Sequence, residues 1–290
     1  MKSAATIFLA AFVALSASWA GFVLTPQLQL GRASQAKSVP ANENYPIARS
    51  GLAQQGAEVY RSLGCVYCHS QQVGQEDVRC DVVLIDAGTN RAATLAVLAG
   101  LNKAFDRSDA LAALPQVLMT VPSIPAALPI LKTISDAGGK AEARVSALGP
   151  DIERGWGKRR SVAQDYIYEA TVQPGTRRFG PDLANEGQLK PQLDWQLRHL
   201  FAPNSEVEGS KMPPYRFLFE QRRIGAKPSP DALQLKGSFA PPAGFEIVPT
   251  DPARALAAYL VSLRQDTPLF EGPFSAPVAS APATTNSPAQ

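Results

Sequence analysis

The sequence predicts a mainly α-helical chain in which an N-terminal transmembrane helix precedes a helical domain interrupted by a small α/β module. Three observations predict it. No charged residue occurs between Lys2 and Arg32. Residues 51–76 and 152–274 carry helical patterns separated by Pro- and Gly-rich loops. Between them, Val82-Val83-Leu84-Ile85 is a β-branched apolar run that ends at Asp86-Ala87-Gly88, a strand-and-turn signature inside an otherwise helical chain.

The run Ala4 to Leu24 is almost wholly apolar and long enough to cross a bilayer, for which about 20 residues suffice. Ser18 and Ala20 would also serve as a small-residue cleavage site, so a cleaved signal peptide is the competing reading. The apolar run continues through Phe22, Val23 and Leu24 past that site and exceeds a signal core of roughly 7 to 15 residues, which favours a retained anchor. With Lys2 inside, the positive-inside rule places the remainder of the chain on the far side of the membrane.

The expected organisation is then an anchor over 1–30, a polar linker over 31–50, a discontinuous helical domain over 51–79 and 148–274, and an inserted module over 80–147. Residues 275–290 hold only Ala, Pro, Ser, Thr, Val, Asn and Gln, a composition that cannot bury a core and is expected to be disordered. Lys and Arg total 28 against 25 Asp and Glu, a balance that argues against a nucleic-acid surface. Three cysteines, two of them in one short motif, do not make a disulfide framework. Cys80 is left over, and its expected state is a buried, unreactive thiol.

Within 80–147 the expected order is β-α-α-β-α-β. A helix follows from Asn90 to Asn102, Ser108 caps a short helix ending at Pro115, and Val117 to Val121 forms a strand. Ser123 to Ala137 is a third helix stopped by Gly138-Gly139, and Ala141 to Val145 closes the sheet. With Asp81-Val-Val-Leu-Ile-Asp-Ala-Gly and Ile134-Ser-Asp-Ala-Gly-Gly-Lys, this segment resembles the C-terminal domain of the bacterial ribosomal stalk protein. Where that family presents a lysine-bearing helix, this chain has Ser108-Asp-Ala-Leu-Ala-Ala-Leu, so the resemblance implies a fold and not the ribosomal role.

The chemistry is concentrated in Cys65-Val66-Tyr67-Cys68-His69, a C-x-x-C-H attachment sequence for c-type haem. Two thiols at this spacing reach two vinyl groups as thioethers, and the adjoining His turns beneath the ring to supply an axial nitrogen. A zinc site would need more ligands, and beyond the motif only Cys80 and His199 remain among cysteines and histidines. A thioredoxin-like motif should follow a strand, whereas Leu52 to Leu63 is helical in pattern, with Gly56, Tyr60 and Leu63 on one side.

Among three methionines and two histidines, Met212 is the candidate sixth ligand, because Ser210-Lys-Met-Pro-Pro-Tyr is a polar loop stiffened by prolines. His199, in Trp195-Gln-Leu-Arg-His-Leu-Phe, is the rival ligand. Gly180-Pro181-Asp182 supplies the Pro181 carbonyl as the acceptor for the second ring N–H of His69, which a metal-bound His requires. Asp251 caps and Pro252 starts a last helix whose stripe of Leu256, Tyr259, Leu260 and Leu263 should meet the first helix near Gly56.

Taken in order, Tyr60-Arg-Ser-Leu-Gly-Cys-Val-Tyr-Cys-His-Ser-Gln-Gln-Val, Arg178-Phe-Gly-Pro-Asp-Leu-Ala-Asn-Glu-Gly, His199-Leu-Phe-Ala-Pro and Met212-Pro-Pro-Tyr resemble the mono-haem subunit II of cbb3-type cytochrome c oxidases. The resemblance implies a cytochrome c haem domain on the periplasmic side of the inner membrane, a single retained anchor, and one covalent haem c with His69 and Met212 as axial ligands. It also implies assembly with a haem-copper catalytic subunit and other cytochrome subunits, receipt of electrons from a donor protein, and no catalytic centre in this chain. An independent anchored cytochrome serving another reductase, and a haem sensor built around the inserted module, are the alternatives. A peroxidase-like enzyme would be favoured by a second C-x-x-C-H, which the chain lacks.

Overall fold

In a computed structural model of the chain, residues 2–31, 34–39, 41–101, 114–269 and 272 are described. The first elements are α1 (Lys2–Trp19), a wide π-type turn over Ala20–Leu24, and α2 (Thr25–Leu30). The wide turn has a cause in the sequence. Pro26 has no N–H for the helix ladder, and Thr25 bonds back five residues to the Ala20 carbonyl, through its backbone N–H and through its hydroxyl at 2.8 Å. Ala4–Gln29 forms one apolar stretch of 26 residues, none of them buried among the described residues. At about 1.5 Å per residue it exceeds the roughly 30 Å hydrocarbon thickness of a bilayer.

A short antiparallel ribbon of β1 (Ala36–Lys37) and β2 (Asn44–Tyr45) follows. The described part of 31–50 is fastened to the domain by a backbone bridge of Ser38 and Val39 to Leu269 and Pro268, and by two sets of side-chain contacts. The Tyr45 hydroxyl donates to Asp165 Oδ1 at 2.8 Å, beside the fully buried Arg159, which donates to both oxygens of the same carboxylate at 2.7 and 3.1 Å. Arg49 pairs with Glu169 and donates from Nε to Ser262 Oγ at 2.9 Å.

Ser50 is extended and its hydroxyl caps α3 (Gly51–Ser62), which buries Ala53, Gly56 and Tyr60. Next comes β3 (Asp77–Asp86), then α4 (Arg91–Leu101), β4 (Gln116–Val121), α5 (Ile124–Asp136) and β5 (Lys140–Leu148). The three strands form an antiparallel sheet in the order β4-β3-β5. The helix expected after Ser108 lies outside the described residues. Alternate residues Cys80, Val82 and Leu84 of β3 point to one face, where they pack with Leu98, Leu118, Ala127 and Ile134 into a core of their own. On the opposite face Asp81 accepts from Thr120 Oγ1 at 2.6 Å and from Arg79 Nε at 2.9 Å. Cys80 is a free, buried thiol whose pKa is raised by burial.

The sheet begins and ends at one place. Asp77 pairs with Leu148, and the Glu76 N–H donates to the Leu148 carbonyl at 3.0 Å, so the first and last strands of this sheet are hydrogen-bonded at their root. Both run a few residues beyond the apolar core that signals them in sequence.

The chain then forms α6 (Pro150–Glu153), α7 (Glu186–Leu189), α8 (Leu193–Phe201), α9 (Pro203–Glu206), a ribbon of β6 (Phe219–Arg223) and β7 (Phe245–Pro249), and α10 (Asp251–Ser262). The antiparallel β6–β7 ribbon departs from the expected all-helical reading of 152–274. Phe219-Glu-Gln-Arg-Arg has four exposed polar positions in a row and so lacks the apolar alternation by which a strand is read. At the start of α10, Thr250 and not Asp251 occupies the cap position; its hydroxyl donates to the Leu218 carbonyl at 2.7 Å, and Asp251 is the first helical residue.

Leu256, Tyr259, Leu260 and Leu263 are buried in a second core with Tyr60, Leu183, Leu197, Leu200 and Phe201. Helices α3 and α10 cross at Gly56, where a Cβ would lie 1.9 Å from the Ala255 carbonyl oxygen and 2.7 Å from Tyr259 Cβ. Only glycine permits that crossing, and it sets α3 so that its C-terminus delivers residues 65–69 to the edge of the second core.

Candidate functional site

After α3 the chain turns through a 3₁₀ segment, Cys65–Tyr67, closed by Cys68 N–H and His69 N–H donating to the Cys65 carbonyl at 3.1 and 3.0 Å. The turn brings Cys65, Cys68 and His69 together. Cys65 is buried, Cys68 is exposed, and both are free thiols. Burial pushes the Cys65 thiol up to about 11, and the neighbouring Tyr215 side chain partly opposes that rise.

Residues 174–183 run alongside this turn as a second wall. Gln71 N–H donates to the Pro174 carbonyl at 3.0 Å, Thr176 N–H to Val66 at 3.0 Å, Gly180 N–H to Cys68 at 2.9 Å and Leu183 N–H to Ser70 at 2.8 Å. The result places the Pro181 carbonyl oxygen 2.9 Å from His69 Nδ1. With that oxygen as acceptor, Nδ1 carries the proton and Nε2 keeps its lone pair. Burial lowers the His69 pKa, which favours the same neutral imidazole; the Pro181 carbonyl and Asp182 oppose that shift without reversing it.

Gly180 leaves the room. A Cβ there would lie 2.3 Å from His69 Cε1, 2.7 Å from Nδ1 and 2.9 Å from Nε2, all closer than a carbon can approach. Sequence reading singled out the Gly180-Pro181-Asp182 turn for its carbonyl alone; the glycine beside the ring and the aspartate after it prove equally involved. Asp182 is fully buried, accepts from the Ser70 hydroxyl and from Gln72 N–H at 2.9 Å, and so links the two walls.

Met212 is half-buried and packs against the core that contains Cys65, Leu200 and Leu218. Its loop is held by Met212 N–H donating to Ser210 Oγ at 3.3 Å and by Tyr215 N–H donating to the Leu200 carbonyl at 2.8 Å. His199 stacks on Trp195, with ring centroids 4.8 Å apart and planes 9° from parallel. Burial, with a smaller effect from nearby His69, brings its pKa down to about 4, so it is neutral at physiological pH.

A histidine with its tautomer fixed, two free thiols on the same turn and an apolar wall bearing a thioether side chain together fit a haem attached through C-x-x-C-H. Residues 144–239 match the family model described as cytochrome C oxidase, mono-heme subunit/FixO. The matched stretch runs from within β5 past Arg178, Gly180, Pro181 and Met212 to Phe239, and the Cys65 to His69 turn precedes it. None of the curated proteins compared with the chain matches it.

Proposed function

We propose that this chain carries electrons through one haem c attached to Cys65 and Cys68, with His69 and Met212 as axial ligands, as an anchored subunit of a membrane terminal oxidase. The observation that carries the reading is the cradle of His69, with Pro181 oxygen on Nδ1 and no side chain at Gly180. The match of residues 144–239 to the mono-haem oxidase subunit family supports a haem cofactor, electron transfer and association with other oxidase subunits.

Haem held by Cys65, Cys68, His69 and Met212 would supply a one-electron iron couple, and a methionine ligand would raise its potential. The chain does the remaining work. The Pro181 carbonyl orients the imidazole and selects its tautomer, while Tyr60, Leu183, Leu197, Leu200 and Leu218 form an apolar surface that excludes water. Excluding water also favours the reduced, less charged iron. In this reading Ala4–Gln29 is the retained single-pass anchor in the inner membrane, with the haem domain on the periplasmic side. The partners are a haem-copper catalytic subunit, other cytochrome subunits and an electron-donor protein. Residues 80–147 are read as a separate module, with the likeness to the stalk-protein domain as its fold.

Solubilising membranes mildly and capturing the chain by a C-terminal tag tests the assembly. Copper, further haem and oxygen-consuming activity should travel with it in fixed ratio to the chain. The chain emerging with its own haem but without copper would instead identify an independent anchored cytochrome.

A further inference from the structure

Arg178 stands two residues before Gly180, and its guanidinium joins parts of the chain that lie far apart in sequence. Nε donates to Ser70 Oγ at 2.8 Å and Nη2 to the Gln72 carbonyl at 2.6 Å. Nη1 and Nη2 each donate to one oxygen of the buried Asp151 at 2.8 Å, a bidentate pair. Asp182 Oδ2 lies 3.5 Å from Nη2, and the Trp156 ring lies against the guanidinium with its centroid 5.5 Å from Cζ.

The positions of these partners matter. Ser70 follows His69, and Asp182 follows Pro181, whose oxygen faces the His69 ring. Asp151 is three residues past the end of β5 and also accepts from Gly74 N–H at 2.7 Å, just before β3 begins. One side chain therefore touches both walls of the His69 cradle and, through Asp151, reaches the chain just before β3 and just after β5.

We propose that Arg178 is a positioning residue for His69 and that, through Asp151, it couples the haem ligand to the root of the inserted α/β module. The inference rests on the reading of His69 as the haem ligand. A guanidinium beside this turn disfavours the additional positive charge of oxidised iron, and the two carboxylates it neutralises would act the other way. Lysine preserves the charge but not the planar fork that grips Asp151 while bonding Ser70 and Gln72. Coupling enters at Asp151 itself, so excision of the distal module with Asp151 retained should leave the clamp in place.

The test is a potentiometric titration of the haem in the full membrane-bound chain, combined with amide hydrogen exchange at Gln72 and Gly74. Arg178→Gln should shift the equilibrium with a one-electron mediator about tenfold toward the oxidised haem, about 59 mV. Arg178→Lys should recover most of that shift. Asp151→Asn should move the potential the opposite way, and both Arg178→Gln and Asp151→Asn should speed exchange at Gln72 and Gly74. If Arg178→Gln fails to retain haem, Asp151→Asn decides by the same readings. Haem present in Arg178→Gln or Asp151→Asn with unchanged potential and unchanged exchange overturns this inference alone. A wild-type chain with no haem on Cys65 and Cys68 overturns the functional reading and this inference with it.

Discussion

Gly180→Ala should strip most of the haem from the mature chain, at least tenfold by haem stain per polypeptide, while leaving the polypeptide in the membrane. The added Cβ would meet the His69 ring at 2.3 to 2.9 Å. Two relaxations are open to it. The imidazole can rotate, which breaks the contact between Nδ1 and the Pro181 oxygen and leaves the axial nitrogen misdirected. Alternatively the 180–183 wall can retreat, which breaks the bonds from Gly180 N–H to Cys68 and from Leu183 N–H to Ser70. Either relaxation costs about 1–3 kcal/mol in strain, plus about 1 kcal/mol for each hydrogen bond lost. Gly180→Val should be worse. Wild-type haem content and an unchanged spectrum in Gly180→Ala would mean that the His69 ring does not occupy this cradle in the mature protein.

Met212→Ala should convert an electron carrier into a ligand-binding haem protein. The oxidised wild type is expected to show the weak long-wavelength absorption of a sulfur-ligated iron, and the reduced form is expected to resist carbon monoxide at neutral pH. The substitution should remove that band, open the site to carbon monoxide and lower the potential, because methionine is the ligand that favours reduced iron. His199→Ala should do none of these, since in this account the stacked, neutral His199 supports the fold beside Trp195 and does not reach the metal. Optical spectra with and without carbon monoxide check the band and the ligand binding in both variants, and a potentiometric titration checks the potential. If His199 controls the spectrum and Met212 is silent, the ligation is bis-histidine and the role given to the Met212 loop is wrong.

The parts of the fold that were legible in the sequence are those whose signal is local. Cys65 to His69 is a contiguous motif, and the Leu256 to Leu263 stripe and the small Gly56 are read from helical spacing, so the α3–α10 crossing was foreseeable. Strand β3 was visible through its β-branched run, and β4 and β5 as the short segments Val117 to Val121 and Ala141 to Val145. Their outer ends at Asp77–Arg79 and Ser146–Leu148 were not, because backbone pairing at the root extends them through largely polar or exposed positions. The β6–β7 ribbon was hidden for a related reason, since one of its strands is almost wholly polar and exposed. Arg178 was quoted in a motif without a role because its partners Ser70 and Asp151 lie 108 and 27 residues away. No periodicity or spacing reports such a contact; only the folded walls on either side of His69 do.

The most direct test of electron transfer through a haem on this chain is the mass of the denatured mature polypeptide together with peptide mapping. The account predicts an increase equal to one haem, carried by the peptide containing Cys65 and Cys68, and its loss in the Cys65→Ala, Cys68→Ala double variant. An unmodified peptide in the wild type, or haem that acid acetone extracts from it, would contradict the account.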